Sequence, residues 1–368
     1  MKIGIDASRA NKTNRSGVEW YSYHLIKQLY QLDRENSYFL YTPSPLSEDL
    51  KPLPANFQEK VLSWPLGKFW TQIRLGLEMT VNKPDLLFIP AHIFPPFLGK
   101  KNIISWPDAG HKRFPECYSK LQLNIIERGL SRAVKVTDKL ITISEFSKSE
   151  FVKYYPITSS KIKVIYLGYN EKVFYPRHES EIVRLKNKYQ INGKYLIYIG
   201  RLAKRKNLEN LIEAYDKLSQ NQNLDLILAG SCDFGYQAIL DKIKQLNGRR
   251  RIKVLGYVPE EDLPALLSGA ECLVHPSLFE GFGLTVLEAM ACNCPVICSN
   301  SGSLPEIGQE AVEYFDPKKP DEISQKIVYL LSNSQLRSKL IERGQERVKQ
   351  FSWKKCAEET LEIFNNLV

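Results

Sequence analysis

Short apolar strands and amphipathic segments alternate along nearly the whole chain, and this alternation limits the fold more than any other feature of the sequence. Each apolar run ends in a turn and leads into a segment whose apolar residues recur at helical spacing. Such alternation predicts α/β structure, with parallel sheets covered by helices on both faces. In the first half we expect strands over Lys2–Asp6, Ser37–Thr42, Leu86–Pro90, Asn102–Trp106, Lys139–Ser144 and Lys163–Gly168, and helices near Val18–Leu32, Phe69–Val81, Leu121–Val136 and Glu145–Tyr155.

The alternation lapses between Gly168 and Pro176 and then restarts, which indicates a connection between two domains. A chain of 368 residues also exceeds what one hydrophobic core usually supports. We therefore predict two doubly wound, Rossmann-like domains facing across a cleft, at residues 1–170 and 171–352, with a final helix over 353–368 packing back toward the first. Ligands of such sheets bind beyond the carboxyl ends of the strands. The strands expected in the second half are Tyr195–Gly200, Asp225–Gly230, Lys253–Val258, Cys272–His275 and Pro295–Ser299.

Composition and charge argue against several classes of protein. The first ten residues, MKIGIDASRA, lack the apolar core of a signal peptide, and the longest apolar stretch, Leu86–Leu98, is too short to span a bilayer. Seven cysteines without metal-ligand spacing favour a reducing cytoplasm. The net charge of +10 favours anionic partners. Because the basic residues are scattered and no nucleic-acid-binding motif accompanies them, a phosphate-bearing substrate or an anionic membrane is favoured over nucleic acid.

The most informative segment runs from residue 273 to residue 291, where a buried strand leads through a loop with two glycines into a helix expected to begin near Leu284. A helix start offers unpaired N–H groups and a positive dipole, which suit a phosphate, and Thr285 adds a hydroxyl in the first turn. Glu280 in the loop and Glu288 one turn inside the helix can point toward the same ligand. Carboxylates repel phosphate but accept hydrogen bonds from hydroxyls, so the pattern favours a sugar phosphate.

A second segment places four cations within six residues after the strand that ends at Gly200, and Asn207 is expected to cap the next helix. Arginine forks and mobile lysines are well placed there to hold a diphosphate. Gly230 ends a further strand at the same edge of the sheet. In the first half, Gly17 begins the first helix, where its backbone could reach a donor phosphate across the cleft. The four cations are Arg201, Lys204, Arg205 and Lys206.

Together these residues resemble the retaining GT-B glycosyltransferases of family 4, and among them the bacterial mannosyl- and glucosyltransferases of cell-surface polysaccharide assembly. The resemblance is nearly continuous from Gly200 to Pro317 and is looser over the first half. In the second half its motifs are Gly200–Asn207, Leu228–Ser231, Leu255–Pro264, the Glu280-x7-Glu288 pair and Gly302–Ile307; in the first half they are Ser16–Tyr21, Trp70–Arg74, Pro90–Pro95, Arg113–Ser119 and Thr142–Lys148.

The resemblance implies a donor such as GDP-mannose or UDP-glucose, a glycan or lipid-linked acceptor, and no metal or other cofactor. Arg201 and Lys206 would hold the diphosphate and stabilise the departing nucleotide electrostatically. Glu280 would bind hydroxyls of the donor sugar and Glu288 those of the ribose. Phe282 and Gly283 would supply backbone N–H groups to the donor.

The sequence departs from the family at the position where a histidine usually precedes an aspartate. Here Pro107 stands in place of the histidine while Asp108 is retained, so donor binding is better supported than turnover. His111 is close enough in sequence to substitute, and His92, at the carboxyl end of a strand, is a candidate for the acceptor side. The alternative is therefore a nucleotide-sugar-binding protein of the same fold with weak or no activity. A dinucleotide-dependent enzyme is disfavoured because Val286 breaks the GxGxxG pattern.

An aromatic and basic segment from Trp64 to Arg74, with lysines 148, 153, 161 and 163 elsewhere in the domain, suggests a further property. It predicts weak, salt-sensitive docking on an anionic membrane, where a lipid-linked acceptor would be met. A core-packed helix with a solvated basic face is an equal alternative. The expected location is cytoplasmic, with peripheral attachment to the inner face of the membrane.

Overall fold

A computed structural model describes residues 1–13, 15–66, 69–218, 223–246 and 251–367. The chain forms two compact units. The first comprises Met1–Ala109, Lys120–Gly168 and Ser352–Val368, and the second comprises Gly110–Ser119 and Tyr169–Phe351. Each unit is built on one parallel sheet with helices between successive strands, so the predicted α/β class with two Rossmann-like sheets is confirmed.

The first unit contains a seven-stranded sheet in the order β3-β2-β1-β4-β5-β6-β7. Its strands are β1 (Lys2–Asp6), β2 (Ser37–Thr42), β3 (Phe57–Val61), β4 (Leu86–Ile89), β5 (Lys101–Ser105), β6 (Lys139–Thr142) and β7 (Ile162–Val164). Its helices are α1 (Gly17–Leu32), α2 (Gly76–Val81), α4 (Lys120–Val136), α5 (Glu145–Tyr154) and α14 (Trp353–Leu367), and α3 (Gly110–Arg113) lies in the second unit. The helix expected over Phe69–Val81 differs, because a π-helical turn, Thr71–Leu75, precedes α2.

The second unit contains a six-stranded sheet in the order β10-β9-β8-β11-β12-β13. Its strands are β8 (Lys194–Ile199), β9 (Leu224–Ala229), β10 (Ile252–Gly256), β11 (Cys272–His275), β12 (Val296–Ser299) and β13 (Glu313–Phe315). Its further helices are α6 (Glu179–Lys188), α7 (Leu208–Asp216), α8 (Tyr236–Gln245), α9 (Leu263–Ser268), α10 (Leu284–Ala291), α11 (Leu304–Gly308), α12 (Pro320–Ser332) and α13 (Ser334–Val348).

The strands that the sequence missed or misplaced all lie at sheet edges. β3, with the sequence FQEKV, and β13, with three residues, were not expected, and β7 is shorter and earlier than the predicted Lys163–Gly168. An edge strand pairs on one side only and needs fewer apolar residues than a central strand, so its sequence carries a weaker signal. Central strands such as β4 and β11 are buried at every residue and were located within one residue.

The chain returns to the first unit through its last helix. α14 packs along α1, where the Trp353 ring stacks on His24 with centroids 4.9 Å apart and Phe364 contacts Phe88 in the core. Gly168 packs directly against the first residue of α14, because a Cβ at Gly168 would stand 2.1 Å from the backbone nitrogen of Trp353. Across the described residues, no helix is both long and apolar enough to cross a bilayer.

Candidate functional site

The strand order of the second unit reverses between β8 and β11, which are neighbours in the sheet although 72 residues lie between Ile199, the end of β8, and Cys272, the start of β11. In doubly wound folds, ligands bind at the carboxyl ends of the strands where the strand order reverses, because the loops on the two sides diverge there and leave a crevice. The loop after β8 contains the four predicted cations, and the loop after β11 contains Glu280. The fold therefore brings together two motifs that are far apart in sequence.

Two glycines set the distance between the loops that follow β8 and β9. The strands pair in register from Lys194 with Leu224 to Ile199 with Ala229, so they end level. A Cβ on Gly230 would stand 1.9 Å from the carbonyl oxygen of Gly200, and both glycines have positive φ angles, +150° and +147°. Only glycine permits this approach, which brings the loops close enough to form backbone hydrogen bonds to each other.

Lys206 and Glu280 form a buried ion pair at this edge. The Lys206 ammonium donates to Oε1 of Glu280, and both side chains are about one-tenth exposed, 10% and 11%. Oε1 also accepts from Nε2 of His275 at 2.9 Å and from the Ser277 hydroxyl at 2.6 Å. Burial by itself would raise the pKa of Glu280, but Lys206, His275 and Arg205 together hold it well below its usual value, so the carboxylate is ionised.

The proton on His275 follows from these contacts. Burial is the main cause that lowers the pKa of His275, so the ring is neutral at physiological pH although Glu280 opposes the shift. Because Nε2 faces an ionised carboxylate, Nε2 carries the hydrogen, and Nδ1 is buried without a hydrogen-bond partner among the described residues. His275 therefore acts as a neutral donor that fixes one oxygen of Glu280.

The second carboxylate oxygen of Glu280 faces the cationic loop, residues 201–206 after β8. This oxygen, Oε2, lies 3.6 Å from the guanidinium of Arg205. Arg201 is more than half exposed and donates to Asp233, in the loop after β9, at 3.1 Å. Oε2 thus lies beside a cation at the edge of the sheet, a position from which it can accept a hydrogen bond from a hydroxyl group.

Asn207 does not cap the helix that follows it. It occupies the N-cap position of α7 in a left-handed conformation, yet its side chain makes no capping hydrogen bond. Its amide nitrogen instead donates to the carbonyl oxygens of Pro276 and Pro317, at 3.0 and 2.7 Å. Asn207 therefore ties the cationic loop to the loops after β11 and β13, which corrects the role expected from the sequence.

Helix α10 begins at Leu284, as the sequence predicts, and its first turn places Leu284 and Thr285 partly at the surface. Gly283 is the N-cap residue with φ of +104°, and a Cβ there would stand 2.7 Å from Leu304. Phe282 is buried against Phe351, with ring centroids 5.9 Å apart. The glycine therefore supplies a backbone conformation that a larger residue would strain.

Glu288, one turn inside α10, differs from Glu280 in its electrostatic environment. Burial is the main cause that raises its pKa to about 8, and the nearby carboxylate of Glu260 adds to the shift. At neutral pH the carboxyl group is therefore mostly protonated and can donate as well as accept a hydrogen bond. The two glutamates of the Glu-x7-Glu motif thus hold opposite protonation states.

Three serines, of which only Ser303 lies within a motif named from the sequence, fix the loop containing Glu280. The Ser303 hydroxyl donates to the carbonyl oxygens of Glu280 and Phe282, both at 3.0 Å. Ser299 and Ser301 donate in the same way to Ser277 and Leu278. Because a peptide is planar and trans, holding the carbonyls on one side directs the following N–H groups to the other. The Ser-x-Ser-x-Ser pattern after β12 was the available signal.

Residues Gly110–Ser119, expected in the first domain, belong to the second unit. Phe114 contacts Phe279, the residue before Glu280, with ring centroids 6.3 Å apart. His111 is buried rather than at the surface and lies edge-on to Tyr118. The structure therefore places His111 in a different unit from Asp108, its neighbour in sequence.

In the first unit, several candidate residues gather beyond β1 and β4, where the order of that sheet also reverses. His92 is half-buried beside the Trp106 ring, and burial and Arg9 lower its pKa while Glu19 and Asp108 oppose the shift. Arg9 donates to Glu19 at 3.2 Å. His92, Asp108 and Glu19 therefore lie near one another.

Gly17 and Pro107 flank this cluster. Gly17 is the first residue of α1, and a Cβ there would meet no atom within 4 Å, so packing does not require glycine at this position. The Pro107 carbonyl accepts a hydrogen bond from Thr142 at 2.8 Å. Among the side chains that the structure describes, no three His, Cys, Asp or Glu residues come close enough to hold a metal ion.

Comparison with known proteins adds to this geometry. A family model for glycosyl transferases of group 1 matches residues 181–347, which include the loops after β8 and β11. The O-antigen chain mannosyltransferase B of Escherichia coli is 32% identical over 286 residues, or 77% of this chain and 75% of that protein.

Solved structures show the same fold over the whole chain. Sucrose-phosphate synthase from Thermosynechococcus elongatus superposes with a TM-score of 0.78 at 19% identity, covering 100% of this chain and 98% of that one. HepE of Anabaena, in complex with UDP-glucose, superposes with a TM-score of 0.77 at 20% identity and covers 100% of both chains. At such identities the likeness shows the fold alone.

Proposed function

Since this chain belongs to the glycosyl transferases of group 1, we propose that it moves a hexose, mannose or glucose, from a nucleotide-diphosphate sugar to a glycan or lipid-linked acceptor in cell-surface polysaccharide synthesis. The observation that carries the proposal is the buried Lys206–Glu280 pair at the strand reversal of the second sheet. A cation able to hold phosphate is next to a carboxylate able to accept hydrogen bonds from sugar hydroxyls, and this supports the proposal. The relative named an O-antigen chain mannosyltransferase favours mannose.

The donor diphosphate lies, in this proposal, against the cationic loop after β8. As the bond between sugar and diphosphate breaks, negative charge develops on the departing phosphate oxygen. Lys206, Arg205 and Arg201 are fixed near that charge, so they lower the barrier without reorganising and without a metal ion. The first-turn N–H groups of α10, at Leu284 and Thr285, add a positive partial charge.

The sugar and the ribose are read by the two glutamates. Oε1 of Glu280 is held by Lys206, His275 and Ser277, so Oε2 accepts a hexose hydroxyl in a fixed direction. Glu288, protonated at neutral pH, exchanges hydrogen bonds with the ribose hydroxyls as donor and acceptor. In this proposal the acceptor attacks on the face from which the nucleotide leaves, which retains the configuration without either carboxylate acting as the nucleophile.

The acceptor binds, in this proposal, beyond β1 and β4 of the first unit, with His92 as the candidate contact and Asp108 as a candidate catalytic residue beside it. The protein acts in the cytoplasm, at the inner face of the membrane. Pro107 favours a second candidate, a binding protein of the same fold without turnover, because the histidine usual at that position is missing.

One experiment separates the two candidates. Nucleotide-sugars are first screened for thermal stabilisation of the protein, and those that stabilise it are then assayed for release of nucleoside diphosphate with a chelator present. Release that depends on an acceptor extract supports transfer without a metal. Stabilisation without release under every acceptor supports the binding protein, and release that the chelator abolishes contradicts the metal-free mechanism.

A further inference from the structure

The first unit exposes a row of apolar side chains along the helical segment that ends at Val81. Phe69, Ile73, Leu77 and Val81 follow one another at intervals of four residues, and each is between 43% and 78% exposed. Ile73, Leu77 and Val81 share one side of the helical segment, and Phe69, with a φ of +61°, lies just before it. The opposite side packs into the core through Leu75 and Met79, and Trp70 and Gly76 are buried as well. The outer row therefore contributes nothing to that core.

A proline loop joins this row to a second helix, α4. A Cβ on Gly76 would stand 2.9 Å from Pro96, so the loop lies against α2. The guanidinium of Arg132, on α4, donates to the carbonyl oxygens of Pro95 and Pro96. Phe97, which follows, is 55% exposed. One continuous surface is thus formed by the outer row, Phe97 and the outer side of α4.

The outer side of α4 is apolar at its start and basic at its end. Leu121 and Ile125 are 70% and 58% exposed, and the same side continues with Arg128, Arg132 and Lys135. The intervals of four and three residues keep these five positions on one side, opposite the buried Leu130, Ala133 and Val134. We call the surface made of the outer row, Phe97 and this side of α4 the apolar-basic face.

The charges on the apolar-basic face are of one sign. Within the described structure, Arg128 and Lys135 on this face, and Lys83 and Lys120 next to it in sequence, are exposed and form no ion pair. The carboxylates nearest in sequence are already engaged, since Glu78 binds Arg74 and Glu127 accepts from Tyr155. A second copy of the chain would bring like charges together, whereas an anionic lipid surface complements both the cations and the apolar side chains.

We propose that the apolar-basic face docks on an anionic membrane, with the outer row and Phe97 inserted among the acyl chains and the cations of α4 on the headgroups. The inference deepens the proposed function, since it names the lipid surface on which a lipid-linked acceptor would be met. Phe69 and Ile73 belong to the segment expected from the sequence, Trp64–Arg74, and the other residues extend the surface beyond it. Trp70 is buried and donates to the carbonyl of Leu62, and Gly67 and Lys68 lie outside the described residues.

The lysines expected to assist are not on this face. Lys148 lies near Glu145 and Lys161 donates to the carbonyl of Thr137, while Lys163 follows on the edge strand β7. Lys163 is exposed and without an ion pair among the described residues, as Arg128 is, so the two cations form a matched pair for a test. Ile73 and Val152 form a second matched pair, because each is 43% exposed in the same unit.

The test measures cosedimentation of the full chain with vesicles, without any donor. Phosphatidylcholine vesicles containing phosphatidylglycerol are compared with phosphatidylcholine alone, at low and at high salt. We expect binding to the anionic vesicles only, weakened by salt. Arg128→Glu should lower the partition coefficient by about 25-fold, since each cation near such a surface contributes about fivefold and reversal counts twice. Ile73→Glu should lower it by about tenfold or more.

The controls decide whether the face itself is responsible. Val152→Glu should have no effect, and Lys163→Glu should lower binding less than Arg128→Glu. Equal losses within each pair, or equal binding to both vesicles, would overturn the proposal. A dimer in solution that Ile73→Glu dissociates, with no vesicle binding, would assign the face to a second copy. Transfer to a soluble acceptor is measured on the same samples, so failure to bind vesicles and failure to transfer sugar are seen separately.

Discussion

We call the loop after β11, which contains Glu280, the donor loop. Substitution of Ser303 tests its geometry most sharply, because no charged group is changed. The Ser303 side chain is fully buried, and its hydroxyl donates to the carbonyl oxygens of both Glu280 and Phe282, each at 3.0 Å. Ser303→Ala leaves these buried carbonyls with one partner fewer. Removing a buried donor costs about 1–3 kcal/mol, so the melting temperature of the second unit should fall by roughly 2–4 °C per kcal/mol lost.

The effect on activity should exceed the effect on stability. The Glu280 and Phe282 peptides set the direction of the carboxylate and of the N–H groups that follow, so a loosened loop misplaces the donor. Misplacement by about 1 Å can cost roughly 100-fold in rate. We therefore expect Ser303→Ala to lower kcat/KM by about 10–100-fold at a temperature where the variant is fully folded.

The matched control is Ser332, an exposed serine whose hydroxyl also donates to two carbonyls, those of Val328 and Tyr329. Ser332→Ala should leave kcat/KM unchanged. The assay is nucleotide release over a range of donor concentrations, with melting followed by circular dichroism. If Ser303→Ala lowers the melting temperature but keeps the wild-type kcat/KM, the serines stabilise the fold without positioning the donor loop, and the reasoning fails.

Three further predictions concern the same two sheets. Gly230→Ala should unfold the second unit at moderate temperature, because its Cβ would overlap the Gly200 carbonyl, whereas Gly256→Ala, with φ of +70° but open space, should cost less; thermal melting compares them. Glu288, whose folded pKa of about 8 exceeds its unfolded value, stabilises the fold below its unfolded pKa and loses that contribution as the pH rises through about 8. The free energy of unfolding of Glu288→Gln should therefore fall less with rising pH than that of the wild type between pH ~5 and ~8, and the two slopes should differ by at most about 1.4 kcal/mol per pH unit. Parallel pH profiles would show that Glu288 is not buried. Pro107→His should change the turnover only modestly, and a variant that alone has activity would favour the binding-protein candidate.

Much of the fold could be predicted because buried parallel strands leave a strong signal. β4, with the sequence LLFI, and β11, with CLVH, are apolar and end in turns, so their positions follow from burial alone. Strands that pair on one side only, such as β3, contain polar residues and could not be separated from loops. The candidate residues of the donor site could be named for a related reason, because glycines and charges that directly follow a buried strand stand at the carboxyl edge of the sheet. Their role in donor binding stays a prediction.

The contacts between those residues could not be predicted, because they depend on which loops become neighbours. Nothing in the sequence pairs Lys206 with Glu280, 74 positions away, and the pair arises only because β8 lies beside β11. Asn207 looked like a helix cap because local preference favours asparagine there, yet its amide reaches Pro276 and Pro317. The opposite protonation of Glu280 and Glu288 likewise depends on burial and on neighbours that are distant in sequence.

The central claim is that the cation at the strand reversal stabilises the departing nucleotide. It is tested most directly by the kcat of Lys206→Ala for nucleotide release, with the donor that best stabilises the wild type. Lys217, exposed and paired with Asp321 in the same unit, supplies the control variant Lys217→Ala. We predict that Lys206→Ala still binds the donor but loses about 10²–10³-fold in kcat, while Lys217→Ala keeps the wild-type rate. A folded Lys206→Ala protein that binds the donor and turns it over at the wild-type rate would contradict the account.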